Sequence, residues 1–283
     1  TSAVSAVSQP ASEAKADCVC VIGVRGGVGA STIAANAAWF VAGELQKSVT
    51  LIDMDLTFGT QALILDVDPG NGLCDAMGEP GRMDELFVKR ASVTLNERFR
   101  VLASETDPSR GELANAAAFN GLLEYVRDDT DLVIVDLPRT LVIAQPEILQ
   151  SFTRAILIAE PGLAAMRDSV RLSTLIKAVN PNAVISVVLS RQGIAPKEEL
   201  SQKTFEDGAG LKIATVIPFD ARTAMRAEAG GKCILQTARR SKLGKALAGV
   251  AQKIAGADPL ASAKPLFGFL KRASKAQANG KGI

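Results

Sequence analysis

The residues with the clearest chemical capacity lie in one run, Gly23-Val24-Arg25-Gly26-Gly27-Val28-Gly29-Ala30-Ser31-Thr32. Glycines at 26, 27 and 29 allow a backbone to curl with its N–H groups turned inward, and a helix starting near Ala30 adds the partial positive charge of its N-terminus. Such a loop suits an anion of several charges, above all a chain of phosphates. Ser31 stands where a hydroxyl can ligate magnesium, and Thr32 can hydrogen-bond an inner phosphate. The pattern GxxxxGK[ST] nevertheless fails twice, because Val24 takes the first glycine position and Ala30 the lysine position. Arg25 is the only cation left in the loop.

Acids that could complete such a site end two apolar runs, Leu51-Ile52-Asp53-Met54-Asp55 and Leu132-Val133-Ile134-Val135-Asp136-Leu137-Pro138. Both runs read as buried strands, and open α/β sheets hold their ligands at the carboxyl ends of strands. The spacing of Asp53 and Asp55 puts them on one side of an extended chain. Asp136 has the Walker B form, an acid at the end of an apolar strand that serves the magnesium shell. A single Asp in that place is as easily a turn former or a helix cap. Three of them downstream of one glycine loop read together as a metal–phosphate site.

Composition narrows the chemistry further. The chain has no histidine, so the commonest general base at neutral pH and the commonest metal ligand are both missing. The four cysteines, Cys18, Cys20, Cys74 and Cys233, form no CxxC pair and no zinc or iron–sulfur spacing. Lys and Arg total 32 against 30 Asp and Glu, a balance that gives no reason to expect nucleic acid held by global charge. No stretch approaches the ~20 apolar residues that span a bilayer, and the N-terminus lacks the basic flank and apolar run of a secretion signal. A cytoplasmic location is expected.

The elements that must position these residues follow a regular pattern. Short β-branched runs at Cys18–Val24, Val49–Asp53, Leu132–Val135, Ala155–Ala159 and Val184–Leu189, with a sixth at Ile213–Ile217, alternate with helical stretches. That alternation predicts an α/β fold, a doubly wound and mostly parallel sheet covered by helices on both faces. Two runs, SVTL and FRVLA, flank Asn96-Glu97-Arg98 between Ser92 and Ala103 and predict a hairpin or an edge strand. In the helix from Gly162 to Val179, Leu163, Met166, Val170, Ile176 and Val179 are expected to form the core stripe, with Arg167, Asp168, Arg171 and Lys177 mostly off it.

The loop R-G-G-V-G-A-S-T at 25–32, the run D-M-D-L-T-F-G-T at 53–60 and D-L-P-R at 136–139 together resemble the CpaE/TadZ branch of the ParA/MinD ATPases, which carry a deviant Walker A loop. L-D-V-D-P-G-N-G-L at 65–73, M-R-D-S-V-R-L at 166–172 and S-R-Q-G at 190–193 extend the resemblance across roughly residues 17 to 255. It implies a P-loop fold with ATP and Mg2+ held between the protomers of a face-to-face homodimer. By the same resemblance Arg25 takes the place of the signature lysine that reaches the partner's phosphates, and Asp53 and Asp55 serve the magnesium shell and water positioning, in an order left open. Ser190 and Arg191 fall where relatives read the adenine, with Pro218, Phe219 and Asp220 closing the other side of the base. With Ala30 removing a cation from the transferring phosphate, binding with weak turnover is expected.

The implied role is that of a nucleotide-dependent scaffold that positions components of a Flp/Tad-type pilus at the inner membrane or a cell pole. The alternative is a ParA/MinD protein that cycles through hydrolysis. Residues 1–16 are small and polar and read as a linker left by an upstream receiver-like domain; residues 17–256 form the ATPase domain, and residues 257–283 a tail. Within the tail, residues 264–275 place Leu266, Phe267 and Leu270 beside Lys271, Arg272 and Lys275 on a helix. That pattern suits peripheral membrane contact, or equally a segment that docks on the domain or stays disordered.

Overall fold

The computed structural model of the protein describes residues 15–110 and 114–256. Eight strands, β1 (Asp17–Gly23), β2 (Val49–Asp53), β3 (Val93–Asn96), β4 (Phe99–Leu102), β5 (Leu132–Asp136), β6 (Arg154–Ala159), β7 (Val184–Gln192) and β8 (Ile213–Pro218), form one sheet. Between and after them run α1 (Ala30–Gly43), α2 (Gln61–Leu65), α3 (Gly72–Gly78), α4 (Glu85–Ala91), α5 (Ala116–Arg127), α6 (Arg139–Ala144), α7 (Leu163–Val179), α8 (Gln202–Ala209), α9 (Ala221–Ala229), α10 (Ile234–Ala238) and α11 (Lys242–Ile254). The tail of residues 257–283, with its expected amphipathic stretch, and residues 1–14 lie outside the described residues.

Strand order is β3-β4-β2-β5-β1-β6-β7-β8. Every pairing is parallel except β3 with β4, the hairpin expected around Asn96, which supplies an antiparallel edge. The chain moves from β1 to one side of the sheet and later crosses to β6 on the other, so the carboxyl end of β1 is a topological switch point, where a crevice opens for a ligand.

Alternation along β1 divides the core in two. Cys18, Cys20 and Ile22 face one layer, with Phe119 and Leu122 of α5 and Leu172 and Ile176 of α7. Val19 and Val21 face the other, against α1 and α11. The Ala-rich α1 is buried nearly all round, because small side chains let it lie close to the sheet and to α11 at once. Its buried Asn36 donates to Thr32 O at 2.8 Å and accepts from the Leu235 amide at 2.9 Å, pinning α10 against the helix that follows the glycine loop.

Two sequence expectations need correction. The core face of α7 is Ala165, Ser169, Leu172, Ser173 and Ile176, while Leu163 is 68% exposed and Met166 and Val179 are only partly buried. Leu163 opens the helix at the carboxyl end of the sheet, beyond the reach of the core. Strand β7 also runs on to Gln192, so Ser190 and Arg191 sit inside it and not after it.

Gly244 shows how tightly the last helices meet. A methyl group there would meet the Ala238 carbonyl oxygen and lie 2.9 Å from the Arg239 carbonyl carbon, both backbone. Gly244→Ala is therefore expected to lower the thermal midpoint by roughly 3–10 °C, read by circular dichroism; an unchanged midpoint would mean that the α10–α11 junction yields freely.

Candidate functional site

The loop grows directly from β1. Val24 carries the ladder one residue further, its amide donating to Ile158 O at 2.9 Å. Val28, 1% exposed, anchors the far side of the loop in the core against α1. Between these anchors Arg25, Gly26 and Gly27 are exposed. Gly27 and Gly29 have φ of +77° and +87°, in the left-handed region that a side chain would strain. Gly29 is the N-cap of α1, no side chain caps that end, and its first turn holds no acid. The amides of Ala30, Ser31 and Thr32 thus belong to an uncapped helix N-terminus at the end of a left-handed loop, which is the geometry that takes phosphate.

Two acids stand beside the loop. Asp53 and Asp136 end adjacent parallel strands in direct register, and they are 2% and 8% exposed. Neither forms an ion pair among the described residues. Burial, and then the charge of Asp136, pushes the Asp53 carboxyl up to about 7, although the amides of Gln61 and Asp55 donate to it at 3.0 and 3.1 Å. Asp136 is also raised, by burial first, against the pull of hydrogen bonds from Ser31 and Gln61. Two buried carboxylates that repel each other, with the Ser31 hydroxyl acting on one of them, are a donor set for a hard divalent cation. No three acidic, histidine or cysteine side chains among the described residues form a metal cage. That fits Mg2+, which keeps several waters and binds one or two protein groups together with phosphate oxygens. Ser31, Asp53 and Asp136 would hold it, and bound Mg2+ supplies charge neutralisation to the phosphates.

Asp55 is placed differently from the sequence expectation. The strand stops at Asp53, and Asp55 folds into a turn whose carboxylate accepts the amides of Thr57 and Phe58 at 3.3 and 2.9 Å. It lies in the loop between β2 and α2, two residues past Asp53, and its charge still acts on both Asp53 and Asp136. Gly59 completes that loop: a side chain there would stand 2.5 Å from Asp53 Oδ2.

The cations near the loop are all held by acids of the same chain or by its backbone. Arg25 donates to Asp168 of α7 at 2.9 Å, and Arg139, three residues past Asp136, donates to Val24 O at 2.7 Å. Together with Gly26, Ile143, Arg167 and Arg171 they line a cleft of about 680 Å³. Arg191 has a left-handed backbone, φ +60°, pairs with Glu160 at 3.1 Å and lies 5.8 Å from the Phe219 ring. Ser190 Oγ comes within 4.0 Å of a side chain built on Gly29, and the Arg191 guanidinium within 3.9 Å of one built on Gly27. The expected base-reading pair therefore lies against the phosphate loop itself, and Phe219 flanks Arg191. Asp220 is occupied in capping α9 through Thr223, at 3.0 Å to the amide and 2.6 Å to the hydroxyl.

Sequence reasoning missed Gln61, Gly59, Asp168 as the partner of Arg25, and Arg139. The runs 53–60 and 136–139 contain Gly59 and Arg139, but only the folded chain shows what they touch. Gln61 carries no signal of its own in a short apolar helix.

The buried acids make a pH-dependent prediction. Because Asp53 holds its proton to about pH 7 in the native chain and releases it near pH 4 when unfolded, the folded state binds the extra proton between those values. Stability from this group is full below that window and is lost as pH rises through it. A cation can recover the loss only where the proton has left. Millimolar Mg2+ is thus expected to raise the thermal midpoint by a few °C at about pH 8 and to leave it unchanged at about pH 5. An equal effect at both pH values would contradict the assignment.

Comparisons with known proteins agree with this geometry. The ParA family model, described as that of the NUBPL iron-transfer P-loop NTPase, matches residues 15–255. The septum site-determining protein MinD of Synechocystis is 23% identical over 238 residues, covering 83% of this chain and 87% of its own. An uncharacterised protein of Mycobacterium tuberculosis is 27% identical over 262 residues, 90% of this chain and 69% of its own. Among solved structures, a ParA family ATPase from Chlorobium tepidum superposes with a TM-score of 0.75 at 21% identity, over 84% of this chain and 98% of that one. MinD from Pyrococcus horikoshii, solved with Mg-ADP, superposes with a TM-score of 0.74 at 22% identity, over 89% and 99%. With its mostly parallel sheet, glycine loop and paired strand-end acids, the chain belongs to the ParA/MinD family of P-loop NTPases.

Proposed function

We propose that this protein is a nucleotide-dependent dimerising switch of the positioning type, which binds ATP with Mg2+ at the 25–32 loop and turns it over weakly or not at all. The observation that carries this reading is a phosphate loop with its geometry intact and its lysine position filled by Ala30. Binding groups are in place: the left-handed glycines, the uncapped α1, the Ser31 hydroxyl and the paired acids. A cation at position 30, where a lysine would stabilise charge on a transferring phosphate, is not.

A face-to-face dimer is supported by where the exposed apolar side chains lie. Phe58, Leu63, Ile143 and Leu163 are 74%, 65%, 61% and 68% exposed. They come from the β2–α2 loop, α2, α6 and the first turn of α7, all at the carboxyl end of the sheet around the loop. Large apolar side chains gathered at one end mark an association surface better than scattered ones do. Arg25, exposed and held only by Asp168, is the side chain on that surface best able to reach across to another protomer's phosphates. A guanidinium can bind them in bidentate fashion, so an arginine can take the signature lysine's role.

The scaffold role at a Flp/Tad-type pilus rests on the sequence resemblance to CpaE/TadZ proteins. In that role the protein would act in the cytoplasm, peripheral at the inner membrane or a pole; among the described residues no helix is long and apolar enough to cross a membrane. The iron transfer named in the matching family model is not proposed for this chain: Cys18 and Cys20 are buried thiols raised above the ordinary range by burial, and no cluster of ligands forms among the described residues. A second reading, an actively cycling ParA/MinD ATPase, is favoured by the intact set of Asp53, Asp55 and Asp136.

Light scattering of the purified chain without nucleotide, with Mg-ADP and with Mg-ATP, with phosphate release followed on the same samples, separates the two. The expected result is a dimer with Mg-ATP, little release, and loss of the dimer in Arg25→Ala. Rapid release would favour the cycling ATPase, and a molecular mass indifferent to nucleotide would overturn the switch.

A further inference from the structure

Gln61 is fully buried, and it touches three parts of the site at once. Its amide N–H donates to Asp53 Oδ2 at 3.0 Å. Its side-chain Nε2 donates to Asp136 Oδ2 at 2.8 Å and to the Ser31 carbonyl at 3.1 Å. Among the described residues, no other one outside the loop and the strand ends bonds to both acids. Since Nε2 faces two acceptors, the opposite amide orientation would set Oε1 against both of them, so the assignment of the two ends follows from the surroundings.

The other end of that amide is the informative one. Gln61 Oε1 is buried and has no hydrogen-bond partner, and among the described residues only Thr50 Oγ1 shares that condition. A buried acceptor left unpaired is costly, and a native chain that keeps one beside two carboxylates has an acceptor waiting for a donor. The donors suited to this place are the waters of a hydrated divalent cation, because the two buried acids beside it are a donor set for such a cation.

We propose that Gln61 is a cation-site residue whose Oε1 accepts a hydrogen bond from the hydration shell of Mg2+ while its Nε2 keeps hold of Asp136. The inference deepens the nucleotide reading above and rests on it. Its consequence is mechanical. Gln61 is the first residue of α2, which carries the exposed Leu63, and it follows directly on the loop that carries Phe58. One side chain thus joins the loading of the cation site to the segment that presents apolar surface at the carboxyl end of the sheet.

The test is the affinity of the whole chain for a fluorescent ATP analogue, measured in Mg2+ and in chelator, for wild type, Gln61→Met and Gln61→Glu, with thermal melting of each ligand-free protein as a check on folding. The readout is the ratio of the two affinities. Gln61→Met keeps the length and removes both polar ends, and is expected to cut the Mg2+ enhancement by about tenfold. Gln61→Glu adds an anionic acceptor at the same place, and is expected to increase it. Opposite signs in the two variants cannot come from loosened packing. Equal enhancement in all three proteins would overturn the role of Gln61 while leaving the nucleotide site standing. A wild-type affinity that ignores Mg2+ would overturn the cation site and the role of Gln61 together.

Discussion

Asp53 and Asp136 face each other across two parallel strands in register, and the sheet allows them no distance. Each ends a wholly buried strand, so neither can turn to water, and neither forms an ion pair among the described residues. Like charges in such a place raise each other's affinity for a proton or for a cation. Much of the surrounding architecture consists of groups that make the arrangement tolerable: amides of Asp55 and Gln61 on one carboxylate, and the Gln61 side chain on the other. Gly59 belongs to the same constraint, since the chain returns past Asp53 too closely for a side chain.

The cations show the complementary logic. Arg25, Arg139 and Arg191 all lie at the rim of the loop, yet each is engaged within the chain, by Asp168, by the Val24 carbonyl and by Glu160. Partly exposed ion pairs of this kind are weak, so a phosphate chain can compete for either Arg25 or Arg191 at little cost. The loop therefore offers backbone amides as its permanent donors and guanidinium groups as exchangeable ones. A lysine at position 30 would be a permanent cation. With Ala30 there, the role proposed for the site is to hold charge that is already present, not to stabilise charge that develops during transfer.

Much of this was legible in the sequence. The six parallel strands, the edge hairpin, the glycine loop and the strand-end acids follow from local pattern, because strand burial, left-handed glycines and acids at strand ends are each decided within a few residues. What local pattern could not show are contacts between distant elements. Gln61 matters because residues 30 positions before it and 75 after it converge on its amide. The Leu163 error has a related cause, since helical periodicity says which residues share a face but not where along its length a helix leaves the core. Asp55 falls in a turn because the strand ends at Asp53, a boundary that propensity places only approximately.

On this reading the 24–33 loop and the 53–65 segment form one ligand site, joined through Asp136. Amide hydrogen exchange of the whole chain with and without Mg-ATP tests it directly. Slower exchange is expected in both segments together, and no such joint slowing with ATP in chelator. Protection confined to the glycine loop, or none in either segment, would contradict it.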